Sequence, residues 1–135
     1  MLTPEEIVTR MLSKDHFSNW LGITIENIEQ GSAILKCNLK KEMLNGFDIL
    51  HGGISYSLAD SALAFAANSY GYKCVSIETS ISHIRPVLLG DTLTAFCKEI
   101  NRTKTIGIYE VNIENQHKKL VAIFKGIVKI SEKTW

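Results

Sequence analysis

The sequence predicts an α+β fold in which an antiparallel sheet wraps around one long central helix. Three observations support this prediction: a long segment of small and apolar residues after Gly52-Gly53, two strand-like runs before that segment, and four strand-like runs after it. Strands grouped around a segregated helix are typical of α+β domains. Because 135 residues fit one domain, we expect residues 1–135 to form a single one.

The elements before the central helix are predicted to be one helix and one hairpin. The helix should begin at Thr3, where a hydroxyl N-cap is followed by proline and two acids, and end near Lys14. The residues after it are expected to lead directly into a strand over 21–28. A turn at Gly31 joins this strand to a second one over 32–39, so the two should pair.

The central helix is predicted to have two apolar faces. At 100° per residue one face is an ordinary core stripe, which contains Ile54, Leu58, Ala62, Phe65 and Ala66. The opposite face is also mostly small or apolar, and it contains Tyr56, Asp60, Leu63, Ala64 and Ala67. A helix that is apolar on nearly every side is buried. We therefore expect the sheet to cover one face and a second subunit to cover the other.

Four strands are predicted after the central helix, which Gly71 is expected to end as its C-cap. Runs of β-branched and alternating apolar residues place these strands at 74–84, 92–100, 105–114 and 120–130. The first of the four stops before Pro86, because proline cannot continue a central ladder. The polar turns between the later strands are typical of hairpins.

Asp60 is the only formal charge between His51 and Lys73. A carboxylate near a subunit interface is costly unless it is paired or functional. Two interpretations remain open from the helix alone. Asp60 is either a functional carboxylate, or it is solvated or hydrogen-bonded to a neighbouring hydroxyl such as Ser57 or Ser61.

The start of the central helix favours a functional site. Gly52 and Gly53 would let a ligand approach unpaired backbone N–H groups, where the helix dipole adds positive potential. Such donors suit a carbonyl oxygen that becomes anionic when its carbon is attacked. The eight residues from Gly52 to Asp60 rise about 12 Å. One chain cannot easily place both on the same carbonyl, whereas two antiparallel helices related by a twofold axis can.

The bulk composition excludes several classes of protein. Hydrophobic residues make up 45% and charged residues 21% of the chain, which is typical of a soluble globular protein. A net charge of +1 gives no electrostatic footprint for nucleic acid, and no basic run indicates a membrane surface. The acidic N-terminal segment lacks the apolar core of a secretory signal. We therefore expect a cytoplasmic protein.

Cysteine and histidine spacing indicates no metal site. The three cysteines, Cys37, Cys74 and Cys97, are widely separated, so we expect free thiols in a reducing compartment. The four histidines are scattered without a metal-ligand spacing. No metal or redox cofactor is expected.

The motif Asn45-x5-His51-Gly52-Gly53-x6-Asp60 resembles the signature of hotdog-fold thioesterases of the phenylacetate-degradation PaaI type. The resemblance continues through residues 62–68, 84–86 and 90–94, and it extends from about Leu21 to the end of the chain. It implies a hotdog fold and hydrolysis of a small aryl- or acyl-CoA, such as a phenylacetyl-CoA-like ester, to free acid and CoA. It also implies a homodimer, or a tetramer formed by two dimers.

The resemblance implies a role for five residues. The Gly52 backbone N–H would polarise the thioester oxygen, and His51 would shape that loop. Asn45 would position the attacking water or the thioester sulfur. Asp60 of the other subunit would be the nucleophile or general base, and Ser76 falls near a position where some relatives place a hydroxyl that orients water.

Simpler interpretations stand beside several of these roles. His51 in a glycine-rich loop is favoured as structural, and Asn45 before a glycine could be only a turn residue. Arg85 is interpreted as a contact for CoA phosphates or as the partner of a carboxylate at a strand end. Arg102 and Lys104 could contact a nucleotide phosphate, or they could be solvated hairpin charges.

The acyl group is predicted to lie against Phe47, Tyr56 and Leu63, with Gly53 also near the substrate.

Two rival functions use the same fold. A non-catalytic acyl-CoA binding or sensing module is disfavoured because a binder gains nothing from Asp60 in an apolar helix. A hotdog hydratase ranks last, because the sequence lacks a neighbouring Asp and His after the helix start.

Overall fold

The computed structural model describes all residues, 1–135. Three α-helices are present, α1 (Pro4–Leu12), α2 (His16–Leu21) and α3 (Gly52–Asn68), and a short 3-10 turn covers Lys41–Met43. The six strands are β1 (Thr24–Glu29), β2 (Ser32–Asn38), β3 (Tyr72–His83), β4 (Thr92–Arg102), β5 (Ile106–Glu114) and β6 (Leu120–Thr134). No helix combines the length and the apolar character that crossing a membrane requires.

The six strands form one antiparallel sheet in the order β1-β2-β4-β5-β6-β3, and α3 packs against it. The side chains of Leu58 and Phe65 on α3 are fully buried, as are Tyr109 and Val111 on β5. Alternation along β5 places every second residue in the core, as expected for a strand with one buried face. The predicted α+β fold with one long central helix is confirmed.

The prediction that the chain runs directly from α1 into the first strand is wrong. Residues 16–21 form α2 instead, because Asp15 caps it by accepting the Ser18 N–H at 2.9 Å. Gly22 then ends the helix in the left-handed conformation, with φ of 74°. The first strand therefore starts only at Thr24.

The prediction that Gly71 caps the central helix is also wrong. The helix ends at Asn68, whose side-chain amide donates to the carbonyl oxygens of Ala64 at 2.8 Å and Cys74 at 3.2 Å. These bonds tie the last turn of the helix to β3. Gly71, with φ of 104°, forms the turn between the two elements.

The second apolar face of α3 is partly covered by the chain itself. Leu63 and Ala67 are fully buried, so the expectation that a second subunit covers this whole face is wrong for these two residues. Leu63 reaches the sheet at Gly126, where an added Cβ would lie only 2.5 Å from the Leu63 side chain. Tyr56 and Asp60, nearer the start of the helix, stay half-buried.

Strand β3 lies at an edge of the sheet and pairs only with β6. A bulge at Ile77 interrupts the pairing, since Ser76 faces Val128 whereas Glu78 faces Ile127. One extra residue shifts the alternation of side chains along the strand. As a result His83, rather than its neighbour, reaches α3 at the end of the strand.

Candidate active site

The first turn of α3 leaves one backbone donor free. His51 is the N-cap, and its Nδ1 accepts the Gly53 N–H at 2.9 Å while its carbonyl accepts the Ile54 N–H at 3.0 Å. The N–H of Gly52, the first residue of the helix, has no acceptor in the protein. A free N–H at a helix N-terminus can bind an anionic or polarised oxygen.

Asn45 folds the loop that precedes this helix. Its Oδ1 accepts the backbone N–H groups of Phe47 at 2.9 Å and Ile49 at 3.4 Å, as in an Asx turn. The side-chain NH₂ group makes no hydrogen bond within the protein. Asn45 is therefore a turn residue whose amide donors remain available for a ligand.

Asn45 and Gly52 line the same cavity, which we call the helix-start cavity and which has a volume of about 380 Å³. It lies between the loop before α3 and the segment that follows β3. Its polar lining groups are Asn45, Gly52, Ser55, His83 and Arg85, and its apolar lining residues include Ile49, Leu50, Val87 and Val121. Apolar walls with a few convergent polar groups are typical of small-molecule sites.

A second cavity, which we call the mid-helix cavity, has a volume of about 250 Å³. Asp60 and Ser76 both line it, together with Leu63, Ala64, Cys74, Val75 and Val128. The structure therefore brings three predicted site residues to one cavity, Asp60 and Leu63 from α3 and Ser76 from β3. None of the residues that line the helix-start cavity lines this one. Within one protomer, Asp60 and Gly52 thus belong to separate cavities.

The Asp60 carboxylate has neither a hydrogen-bond nor an ion-pair partner within the protein. The interpretation that it bonds to a neighbouring hydroxyl is wrong, because Ser57 donates to the Gly53 carbonyl at 2.7 Å and Ser61 bonds Ser18 at 2.8 Å. Burial raises the pKa of Asp60 above the ordinary range of an aspartate. A half-buried carboxylate without a partner is costly to the fold, and a carboxylate whose pKa is raised at a cavity is a candidate functional residue.

The three cationic residues predicted to contact CoA phosphates, Arg85, Arg102 and Lys104, have different surroundings. Arg85 lines the helix-start cavity, but its Nη1 donates to the Leu120 carbonyl at 2.6 Å, so the expected carboxylate partner is not observed. Arg102 is not a solvated hairpin charge. Its guanidinium lies 3.9 Å from the centre of the Tyr70 ring and donates to the Tyr109 hydroxyl at 3.1 Å.

Lys104 is exposed, and with Arg102 it lines a third cavity of about 410 Å³. This cavity lies at the turn between β4 and β5, away from both Gly52 and Asp60.

The aromatic residues predicted to contact the acyl group lie outside both cavities on α3. Phe47 is 85% exposed in the loop before α3. Tyr56 packs edge-on against Phe124 at 5.4 Å, and its hydroxyl bonds Thr79 on β3. Neither side chain lines a cavity with Gly52 or Asp60 in one protomer.

His83 is a cavity residue that the sequence did not reveal. An added Cβ on Gly52 would lie 2.9 Å from His83 Nε2, so the imidazole rests directly against this glycine. Its Nδ1 lies 3.5 Å from the Ser55 hydroxyl. The bulge at Ile77 decides which residues of β3 face α3, and a strand-period pattern alone does not locate a bulge.

Comparison with known proteins defines the class of this fold and site. The thioesterase superfamily model matches residues 47–122, which include Asp60 and the start of α3. The chain therefore belongs to the thioesterase superfamily and is a thioester hydrolase with the hotdog fold. The resemblance drawn from the motif around His51 and Asp60 is confirmed.

Individual relatives place the chain close to the PaaI type within that family. It is 40% identical over 116 residues to acyl-coenzyme A thioesterase PaaI of Escherichia coli K12, a match that covers 86% of this chain and 83% of that protein. The structure of the E. coli PaaI protein from the phenylacetic acid degradation operon superposes with a TM-score of 0.95 at 36% identity, covering 97% and 95% of the two chains. The structure of smu.793 from Streptococcus mutans UA159 bound to acetyl CoA superposes with a TM-score of 0.81 at 25% identity, covering 84% and 91%.

Proposed function

We propose that the protein is an acyl-CoA thioesterase that hydrolyses a small aryl- or acyl-CoA, such as a phenylacetyl-CoA-like ester, to free acid and CoA. The observation that carries the proposal is that each protomer offers two unused groups. The Gly52 N–H is free at the helix-start cavity, and the Asp60 carboxylate has no partner at the mid-helix cavity. The PaaI enzyme of E. coli and the acetyl-CoA complex of smu.793 support CoA thioesters as the substrate class. The reaction requires no metal or redox cofactor, and the enzyme acts in the cytoplasm.

The active site in this proposal is shared between two subunits. Eight helical residues separate Gly52 from Asp60 by about 12 Å along the axis, so one helix cannot direct both groups at one carbon. The unpaired edge of β3 supports a twofold dimer, because Val75 and Ile77 on it are 66% and 56% exposed. Antiparallel pairing of two such edges would bring Asp60 of one subunit towards Gly52 of the other, and two dimers would form a tetramer.

The chemistry follows from the groups that each subunit supplies. The Gly52 N–H polarises the thioester carbonyl, and the Asn45 amide holds the sulfur or the attacking water. Asp60 of the other subunit, acting as general base, takes a proton from water as the oxygen attacks the carbonyl carbon. Collapse of the resulting oxyanion breaks the C–S bond, and the thiolate takes the proton from Asp60 and leaves as CoA.

Asp60 could instead attack the carbonyl carbon directly, giving an anhydride that water then cleaves. Label in the aspartate after a single turnover in ¹⁸O-labelled water would establish nucleophilic attack, because general-base catalysis places the label only in the released acid. Ser76, which lines the cavity with Asp60, is the hydroxyl that would orient the attacking water.

The remaining predicted site residues divide between the two ends of the substrate. Gly53 and the apolar side chains Phe47, Tyr56 and Leu63 would surround the acyl group once two subunits meet. Arg85, at the helix-start cavity, and Arg102 with Lys104, at the third cavity, would contact the phosphates of CoA.

The proposal is tested by thiol release from a panel of acyl-CoA esters, with wild type beside Asp60→Asn. The exposed Asp48→Asn is the matched control, because it makes the same change on the neighbouring loop. We expect hydrolysis by wild type and Asp48→Asn and loss of turnover in Asp60→Asn. A folded wild type that binds CoA esters but cleaves none would contradict the proposal and favour the binding module.

A further inference from the structure

His83 is the last residue of β3 and lines the helix-start cavity. Strand alternation would turn Ser82 towards α3 if the pairing with β6 were regular. The bulge at Ile77 adds one residue and directs His83 there instead. The position of this imidazole thus depends on a specific irregularity in the strand.

The ring of His83 occupies the space that glycine leaves open at residue 52. All three atoms nearest to an added Cβ on Gly52 belong to His83, and the closest is Nε2 at 2.9 Å. The Gly52 nitrogen lies two covalent bonds from that Cβ position, so Nε2 and the Gly52 nitrogen are at most about 6 Å apart. One oxygen atom can accept hydrogen bonds from two donors at that separation.

The other side of the ring faces the Ser55 hydroxyl. Nδ1 of His83 lies 3.5 Å from that hydroxyl, and Ser55 is 4% exposed. The Ser55 hydroxyl itself donates to the Gly52 carbonyl at 3.1 Å, which is the shorter of its two contacts. The contact with Nδ1 therefore does not fix the tautomer, and a neutral imidazole can carry its proton on Nε2.

We propose that Nε2–H of His83 is a second hydrogen-bond donor to the thioester oxygen, acting beside the Gly52 N–H. This role rests on the proposed thioester hydrolysis and adds a catalytic residue to it. The oxygen gains negative charge when its carbon is attacked, so a fixed second donor stabilises the transition state more than the bound ester.

Two amide substitutions separate the function of Nε2 from the packing of the ring. The side-chain amide of Gln reaches about the position of Nε2, whereas the shorter Asn places its amide near Nδ1. His83→Gln therefore keeps a donor towards the substrate, and His83→Asn keeps only the contact with Ser55. Kinetics of thiol release from the best acyl-CoA are measured for both variants, with Asp60→Asn and Asp48→Asn alongside and thermal unfolding as the control for folding.

We expect His83→Asn to lose about 100-fold in kcat with little change in KM, as when one oxyanion donor is removed. His83→Gln should keep most of the wild-type kcat. Equal kcat values for the two variants, or a wild-type kcat in His83→Asn, would overturn the role of His83. The proposed function would still stand in that case if Asp60→Asn had lost its activity. A wild type that releases no thiol from any ester would overturn both proposals.

Discussion

The Nδ1 atom of His51 accepts the backbone N–H of Gly53 at 2.9 Å, so the imidazole serves as the N-cap of the central helix. Replacing an N-cap with alanine costs about 1 kcal/mol. We therefore expect His51→Ala to lower the free energy of unfolding by about this amount in urea denaturation. His51→Asn should recover most of that stability, since Asn is a favoured cap. A His51→Ala variant as stable as wild type would contradict this capping role.

Asp60 should make the folded protein less stable at neutral pH than an uncharged residue would. Its pKa is raised in the folded state by burial, so its contribution to stability is complete below the unfolded-state pKa and is lost as pH rises through the folded-state value. Asp60→Asn is therefore expected to be more stable than wild type at pH 7, with the difference shrinking towards pH 3. Urea unfolding of both proteins between pH 3 and pH 7 measures this difference in stability.

A gain in stability together with a loss of turnover is the pattern expected when a residue is kept for function at a cost to the fold. If Asp60→Asn instead unfolds at lower urea than wild type at pH 7, the carboxylate has a stabilising partner and this account of it fails.

Arg102 should be more important for stability than Lys104. Tyr109 is fully buried and its hydroxyl bonds both Arg102, at 3.1 Å, and Glu99, at 2.8 Å. Removing the guanidinium breaks this network, so Arg102→Met should lose about 1–3 kcal/mol of stability. Lys104→Met, at an exposed turn, is the control and should stay within about 0.5 kcal/mol of wild type.

The same pair of variants also tests the phosphate contacts. Lys104→Met is expected to raise the KM for a CoA ester without changing kcat.

The stability comparison has its own contradicting outcome. Equal losses of stability in Arg102→Met and Lys104→Met would show that the network around Tyr109 does not hold β4 and β5 together as described.

The exposed edge of β3 should hold the dimer together. A lysine on an edge strand blocks pairing with another edge, so Ile77→Lys is expected to shift the protein to monomers. Ile100→Lys is the matched control, since Ile100 is 53% exposed on β4, away from that edge. Sedimentation velocity gives the assembly and thiol release gives the activity. Wild-type assembly in Ile77→Lys would place the interface elsewhere.

The sequence predicted the elements whose pattern is local and regular. The long segment after Gly53, in which Asp60 is the only charge, forms α3, and the apolar run predicted as a strand over 105–114 forms β5. The motif from Asn45 to Asp60 also identified the family, because its spacing follows the start and first turns of one helix. Such features depend on neighbouring residues and are visible in the sequence.

Features that depend on distant pairing were not predictable. The bulge at Ile77 reflects how β3 fits β6, and it turns His83 towards Gly52. The stacking of Arg102 on Tyr70 likewise joins the segment after α3 to the end of β4, 32 residues on along the chain. The end of α3 was misplaced because the Asn68 side chain bonds β3, a contact that no helix-ending pattern records.

Subunit complementation tests the shared active site most directly. Gly52→Pro removes the backbone donor at a helix start, where proline is favoured, and the extended backbone of His51, with ψ of 132°, accepts a following proline. Its Cβ would lie 2.9 Å from His83 Nε2, so the substitution also displaces that imidazole and disables the whole helix-start half of the site. Asp60→Asn removes the carboxylate. The two variants are co-expressed with different affinity tags, and the mixed dimer is purified through both tags and assayed for thiol release.

Each variant alone is expected to be inactive. In the mixed dimer one of the two symmetric sites combines an intact Gly52 with an intact Asp60, so it should recover about half of the wild-type activity. A mixed dimer as inactive as its parents would contradict the account, because it would place Gly52 and Asp60 in the same subunit's site.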